Sequence, residues 1–378
     1  MRVAIVHEKF TIYAGSERVV EQLHLLWPDA PIFTTVCDPE TLGPILCNAD
    51  VRTSPLQRLY RSGDHYAHLL PLLPLAISRL AVGDFDLVIT SHHAFANRVR
   101  PGPGVPIVGY VHTPARWMWE PGTRRHEIGG AAGRGLLGAF AATQRGPDRR
   151  AARRLSGVVA NSHHVADRIR RWWGRDATVV SPPVNTAFYT PGASGSAARG
   201  DFYLVAGRLV PYKRPDLAVA AASRAGVKLI VAGDGRARSA VEAAAGPTVE
   251  ILGRVDDDTL RDLYRSCRAL LFPGEEDFGI MPAEAQACGA PVIARAVGGV
   301  LDVVLPGTTG VLYPATTDTD HVETLARLLR DFADDDFDRS VIRAHAERFA
   351  PEHFRAGFAT AVADATSGSG SGAGAGAA

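Results

Sequence analysis

Short apolar runs of strand length alternate with longer stretches of helical periodicity along the whole chain, and that alternation constrains the fold more than any other feature. The runs fall at residues 3–6, 32–35, 86–90, 107–111, 157–160 and 178–181, then at 202–206, 227–232, 249–252, 269–272, 292–294 and 310–313. Most are unbroken Val/Ile/Leu stretches rather than two-residue alternations, the pattern of strands covered on both faces. Segments long enough for helices lie between many of them, which makes βαβ units and parallel, doubly wound sheets. The series occurs twice, on either side of a stretch of small residues and proline from Thr190 to Gly200. The expected fold is therefore α/β, with two Rossmann-like domains facing across a cleft. Their expected bounds are 1–188 and 201–350, joined by a linker at 189–200 and followed by a helix at 351–366 and a disordered Ser/Gly/Ala tail at 367–378.

The 378 residues are enough for two cores. Charge is almost balanced, 41 basic against 40 acidic side chains, which argues against a general nucleic-acid binder. Cys37, Cys47, Cys267 and Cys288 lie far apart with no C-x-x-C spacing, so reduced thiols are expected rather than a disulfide framework or a zinc cluster. The first residues turn polar too quickly for a signal peptide, and no run of 18 apolar residues exists to span a bilayer; a cytoplasmic location is expected. Only three basic residues are lysine (Lys9, Lys213 and Lys228), which singles each of them out.

Three segments have the residue types of a phosphate and sugar site. After the first strand, Ala14-Gly15-Ser16-Glu17 opens a helix. Gly15 there reads either as a backbone contact for an anion or as a simple helix-start glycine. Neither a G-x-G-x-x-G nor a Walker lysine follows, which argues against a dehydrogenase or a P-loop protein. In the second half, the strand at 202–206 is followed by Gly207-Arg208-Leu209 and Lys213, a guanidinium and an ammonium suited to a diphosphate, or else a solvated basic turn. In the third segment a strand ends at Phe272 and Glu276-Asp277-Phe278-Gly279 precedes Pro282-Ala283-Glu284, with Gly289 closing the helix. The spacing places Glu276 in the loop and Glu284 in the first helical turn, both able to face one cleft and accept sugar hydroxyls. The paired residues His92-His93 and His163-His164 read as loop or surface positions, because adjacent side chains point apart.

The Glu-x7-Glu block, the Gly-Arg-Leu…Lys turn, Gly233-Asp234-Gly235, Leu252-Gly253-Arg254-Val255 and Gly298-Gly299-Val300 together resemble the group 1, family 4-type retaining glycosyltransferases of the GT-B fold. Tyr110-Val111-His112-Thr113-Pro114-Ala115-Arg116 is similar to a His-Thr-Pro-x-Arg segment of bacterial mannosyltransferases that build polysaccharides. The family often has Gly-Gly where Ala14-Gly15 stands, Gly where Asp277 stands, and Glu where Asp302 stands. The resemblance implies an acceptor-side first domain and a second domain that binds a nucleotide sugar. It implies catalytic roles for His112, Arg208, Lys213 and Glu276. Donor contacts are implied for Gly15, Arg208, Lys213, Gly253, Arg254, Val255, Glu276, Phe278, Gly279 and Glu284. Gly15, Arg208 and Lys213 would hold the diphosphate, Glu276, Phe278 and Gly279 the sugar, Glu284 the ribose, and Gly253–Val255 the base. No metal and no cofactor are implied; GDP-mannose is the expected donor, and the acceptor a glycan, a lipid-linked or a small molecule. A sugar-nucleotide epimerase of the same fold and a catalytically silent nucleotide-sugar-binding subunit are the alternatives.

Between Trp117 and Leu155 lie Arg124, Arg125, Arg134, Arg145, Arg149, Arg150, Arg153 and Arg154, with Leu136, Leu137 and Phe140 among them. This stretch reads either as an Arg-rich solvated helix face or as a peripheral contact with anionic membrane, supported by the apolar stretch at 68–77.

Overall fold

The computed structural model of the chain describes residues 1–124, 130–192 and 199–367. It forms two compact units, Met1–Pro183 together with the chain from Glu352 onward, and Val184–Pro351.

The first unit is built on a seven-stranded, wholly parallel sheet of β1 (Val3–His7), β2 (Ile32–Thr34), β3 (Val51–Thr53), β4 (Leu87–His92), β5 (Ile107–Val111), β6 (Gly157–Ala160) and β7 (Thr178–Val179). Their order is β3-β2-β1-β4-β5-β6-β7, so the sheet runs outward in both directions from the β1/β4 pair. Successive residues go to opposite faces. Ala4, Val6, Val88 and Val111 pack with Ile169 and Trp173 of the helix His163–Trp173. Ile5, Ile89, Val108 and Tyr110 pack with Val19, Val20 and Leu23 of the helix Gly15–Leu26 and with Phe354 and Phe358 of the helix Pro351–Ser367. β3 is the one strand not expected from the sequence. It lies at the sheet edge with Arg52 and Thr53 exposed, so it has no apolar run to reveal it.

The second unit repeats the scheme with six parallel strands, β8 (Phe202–Ala206), β9 (Lys228–Ala232), β10 (Val249–Gly253), β11 (Leu270–Phe272), β12 (Val292–Arg295) and β13 (Gly310–Tyr313), in the order β10-β9-β8-β11-β12-β13. Tyr203, Val205, Leu229 and Ile293 meet Ala218 and Ala222 of the helix Pro215–Ala225 on one face. Leu204, Ile230, Phe272 and Val292 meet Tyr264 and Ala285 on the other. Here the order reverses at β8/β11.

The chain passes from one unit to the other at Pro183–Val184, ahead of the stretch expected as a linker. The described ends of that stretch are fastened to the second unit instead. Tyr189 is buried in its core, Arg265 donates to the carbonyl and hydroxyl of Thr190, and Arg199 donates to the carbonyls of Asp334, Gly289 and Phe337. Residues 193–198 lie outside the described residues. So does the expected tail, except Ser367, which ends the last helix. Among the described residues no helix is long and apolar enough to cross a membrane.

Candidate active site

In open parallel sheets, ligands bind beyond the carboxyl ends of the strands where the strand order reverses. Each unit places its polar groups at that point. In the second unit Gly207-Arg208 leaves the end of β8, and Pro273–Glu276 leaves the end of β11 beside it. Lys213, in a short helical turn, reaches the second loop: its Nζ lies 2.9 Å from Oε1 of Glu276, with the two side chains only 17% and 19% exposed. Burial, the largest single influence, works against the Lys213 ammonium, but the Glu276 carboxylate and Tyr212 together leave the lysine pKa above its ordinary value. Arg208, Lys213 and Glu276 line a small pocket with Leu209, Phe272 and Pro273.

Two glycines permit this closeness. A Cβ on Gly274 would stand 2.5 Å from Cα of Lys213, so only glycine lets the β11 loop lie against the lysine turn. Gly299 donates its N–H to the carbonyl of Glu276 at 2.8 Å, and a Cβ there would meet the carbonyl oxygen of Asp277 at 2.2 Å. The Gly298-Gly299 turn thus backs the Glu276 loop.

Phe278 is buried against Phe349, and Gly279 takes φ +106° as it turns the chain into the helix Ile280–Ala287. That helix begins two residues before Pro282, which moves Glu284 from the expected first turn to the second. Glu284 is 4% exposed, with the hydroxyl of fully buried Tyr264 at 3.5 Å, and it does not line the pocket that Glu276 lines. Gly253 ends β10 at φ +74°, leaving Arg254 exposed and Val255 half-buried against the core.

In the first unit the reversal point is crossed by a chain of polar side chains. His7 and Ser91 are opposite each other on β1 and β4, and His112 follows β5. Ser91 Oγ lies 3.0 Å from Nδ1 of His7 and 2.9 Å from Nε2 of His112. Nε2 of His7 lies 3.3 Å from Oε1 of Glu17, whose Oε2 accepts the backbone N–H of Ala14 at 3.0 Å and the hydroxyl of Ser16 at 2.8 Å. Glu17 thereby ties the turn that carries Gly15 to the strand ends. Burial alone would lift the Glu17 carboxyl, but the bond from His7 holds it below its ordinary value.

His93 stacks on His112, ring centroids 4.4 Å apart. Burial pushes His93 down to about 3 and His112 well below the ordinary histidine value. Of the pair read as loop or surface residues, His93 does lie in the turn after β4, half-buried, but His92 does not fit that reading. His92 lies on β4, fully buried, because Glu8 draws the following turn inward: its Oε1 accepts the backbone N–H groups of Ala94, Phe95 and Ala96 at 2.6–2.8 Å. Among the described residues no three His, Cys, Asp or Glu side chains gather to hold a metal ion.

His112 was the one member of this relay that the sequence singled out. The available signal for the rest was Glu17, three residues after Ala14 at a helix start, where a carboxylate caps backbone N–H groups. The Arg-rich stretch is largely exposed, as a solvated helix face would be, but several of its arginines also bind backbone carbonyls. Arg124 and Arg145 donate to the carbonyls of Trp117 and Met118, Arg149 to that of Trp172, and Arg154 to those of Asn97 and Val99. Leu137 is half-buried and Phe140 packs on the core, while Leu136 and Arg134, Arg149, Arg150, Arg153 and Arg154 are exposed; Arg125 lies outside the described residues.

Two parallel Rossmann-like units, each with polar side chains at its own reversal point, give the chain the GT-B fold. Residues 13–188 match the family Glycosyltransferase Family 4, and residues 191–345 match Glycosyl transferases group 1. The D-inositol 3-phosphate glycosyltransferase of Streptomyces bingchenggensis is 32% identical over 239 residues, 55% of this chain and 52% of that protein. Its counterpart in Mycolicibacterium paratuberculosis is 37% identical over 172 residues, 40% of this chain and 39% of that protein. The chain thus spans about half the length of these curated relatives or less. Among solved structures, Anabaena HepE in complex with UDP and glucose superposes with a TM-score of 0.69 at 18% identity, over 96% of this chain and 99% of that one. The sucrose-phosphate synthase of Thermosynechococcus elongatus gives 0.70 at 18%, over 97% and 100%.

Proposed function

We propose that the chain moves a hexose from a nucleoside-diphosphate sugar to an acceptor hydroxyl with retention of anomeric configuration. The observation that carries this reading is the Lys213–Glu276 pair beside Arg208 at the β8/β11 reversal. A diphosphate that loses its sugar gains negative charge, and a preset ammonium and guanidinium stabilise that charge as it develops. The paired carboxylate fixes the ammonium and offers its remaining lone pairs to hydroxyls of the sugar. In this reading Phe278 and Gly279 supply backbone groups beside the sugar, Gly253, Arg254 and Val255 border the base, and Glu284 supports the ribose side from within the helix. Gly15 contributes backbone N–H to the diphosphate, and His112 meets the transferred sugar.

GDP-mannose is the favoured donor because of the His112-Thr113-Pro114-Ala115-Arg116 segment. UDP-sugars are the second choice, supported by the UDP named with HepE. The acceptor is a glycan, a lipid-linked or a small hydroxyl compound; the relatives' names make an inositol phosphate one small molecule to try. Peripheral contact with anionic membrane would rest on Arg134, Arg150 and Arg153.

The test is a thermal-shift panel of nucleotide sugars, followed by transfer assays with Glu276→Gln. A bound donor raises apparent stability according to its occupancy. Glu276→Gln is expected to keep nucleoside-diphosphate affinity and lose turnover by about 100-fold or more, because the carboxylate acts on the sugar in the transition state. Near wild-type turnover in that variant would overturn the assignment.

A further inference from the structure

The polar chain in the first unit has a direction, and that direction determines what His112 can do. Glu17 is a pure acceptor: one carboxylate oxygen takes the N–H of Ala14 and the hydroxyl of Ser16, and the other faces Nε2 of His7. Nε2 of His7 must therefore carry a proton. With one proton on the ring, Nδ1 of His7 is bare and accepts the hydroxyl proton of Ser91. The oxygen of Ser91 is then the acceptor for His112, which puts the proton of His112 on Nε2. His7 and Ser91 are completely buried and Glu17 nearly so, so the links run through protein groups.

We propose that Glu17, His7 and Ser91 are positioning residues that fix His112 as its Nε2–H tautomer, leaving the lone pair on Nδ1 to accept a hydroxyl of the transferred sugar. The purpose of the relay rests on the reading that His112 meets that sugar; the relay itself does not. Burial holds His112 well below the ordinary histidine value and His93, stacked on it, at about 3, consistent with a single proton on each ring. Because Glu17 also ties down the N–H of Ala14, one side chain sets both the turn at Gly15 and the proton on His112.

Glu17→Gln tests the relay sharply. The N–H of Ala14 can only donate, so the amide oxygen stays with it and the NH₂ group turns to His7. Nε2 of His7 must then accept, its Nδ1 donates to Ser91, Ser91 donates to Nε2 of His112, and the His112 proton moves to Nδ1. Long-range ¹H–¹⁵N spectra of the full chain with ¹⁵N-labelled histidine, at about pH 8.5, above the ordinary histidine range, report the tautomer directly. The expected result is Nε2–H in the wild type and Nδ1–H in folded Glu17→Gln.

An Nδ1–H wild type, or a folded Glu17→Gln that keeps Nε2–H, overturns the proposal. Should Glu17→Gln fail to fold, Ser91→Ala decides: a mixture of tautomers supports the relay, and an unchanged single Nε2–H tautomer overturns it. In transfer assays Glu17→Gln is expected to lower kcat by about tenfold, the loss of roughly one hydrogen bond, while the KM for the donor stays within about twofold. An unchanged kcat overturns the proposed use of Nδ1. Absence of transfer by the wild type with every donor overturns the proposed activity and leaves the tautomer result standing on its own, so the two failures are distinguishable.

Discussion

The Glu8 side chain takes the N–H groups of Ala94, Phe95 and Ala96 on a single oxygen, with that of His93 at 3.3 Å, and in doing so folds the turn that follows β4 back over the sheet. Removing the acceptor strands buried donors without a partner, each costing about 1–3 kcal/mol. Glu8→Ala is expected to lower unfolding free energy by about 3 kcal/mol or more in urea titrations, with Glu8→Gln recovering part of it through its amide oxygen; a change below about 1 kcal/mol would refute this account. None of this is visible in Glu8 read as a residue. Nor is the relay: residues 7, 91 and 112 become neighbours because β1, β4 and β5 lie side by side in register. Local pattern identifies a strand, but not which strand it will lie against. Lys213 and Glu276 were legible separately, one through its rarity and the other through its spacing, but their ion pair depends on the same strand adjacency.

At the scale of elements, the strands were the most legible part of the chain, because burial on both faces demands continuous apolar runs. β3 escaped since an edge strand has no such demand. The helix Ala131–Arg153 was the least legible, because its arginines looked like surface charge and two of them, Arg145 and Arg149, serve as donors to backbone carbonyls. Its one buried acid explains more of its docking. Oδ2 of Asp148 accepts the indole N–H of Trp119 at 2.9 Å and of Trp173 at 2.7 Å, so one carboxylate pins the helix to two others. Burial lifts its pKa to about 6, above the unfolded value. The folded chain therefore holds this proton more tightly than the unfolded one. The group's contribution to stability is complete below about pH 4 and is lost as pH rises through 6. Asp148→Asn keeps an acceptor for both indoles and removes the titration. Relative to the variant, the wild type is expected to lose about 3 kcal/mol between pH 4 and pH 7, read from urea midpoints; parallel pH profiles would contradict the assignment.

At the scale of the whole molecule, the two units differ in how the chain completes them. The second is continuous, Val184–Pro351, and its sheet, both cores and every residue proposed to grip the donor nucleotide except Gly15 lie within it. The first is closed only when the chain returns at Glu352, since Phe354 and Phe358 of the last helix fill the core around Ile5 and Val108. Phe358→Ala should therefore cost about 3–5 kcal/mol and lower one thermal transition while leaving the other in place. The same asymmetry predicts that residues 184–351 expressed alone fold and bind a nucleoside diphosphate. UDP or GDP should raise the melting temperature of this fragment, and Lys213→Met, which removes the ammonium while keeping the bulk, should abolish the rise. If the fragment folds yet shows no shift under conditions where the full chain does, the grip on the diphosphate depends on the first unit, and the backbone of the Gly15 turn becomes its main source.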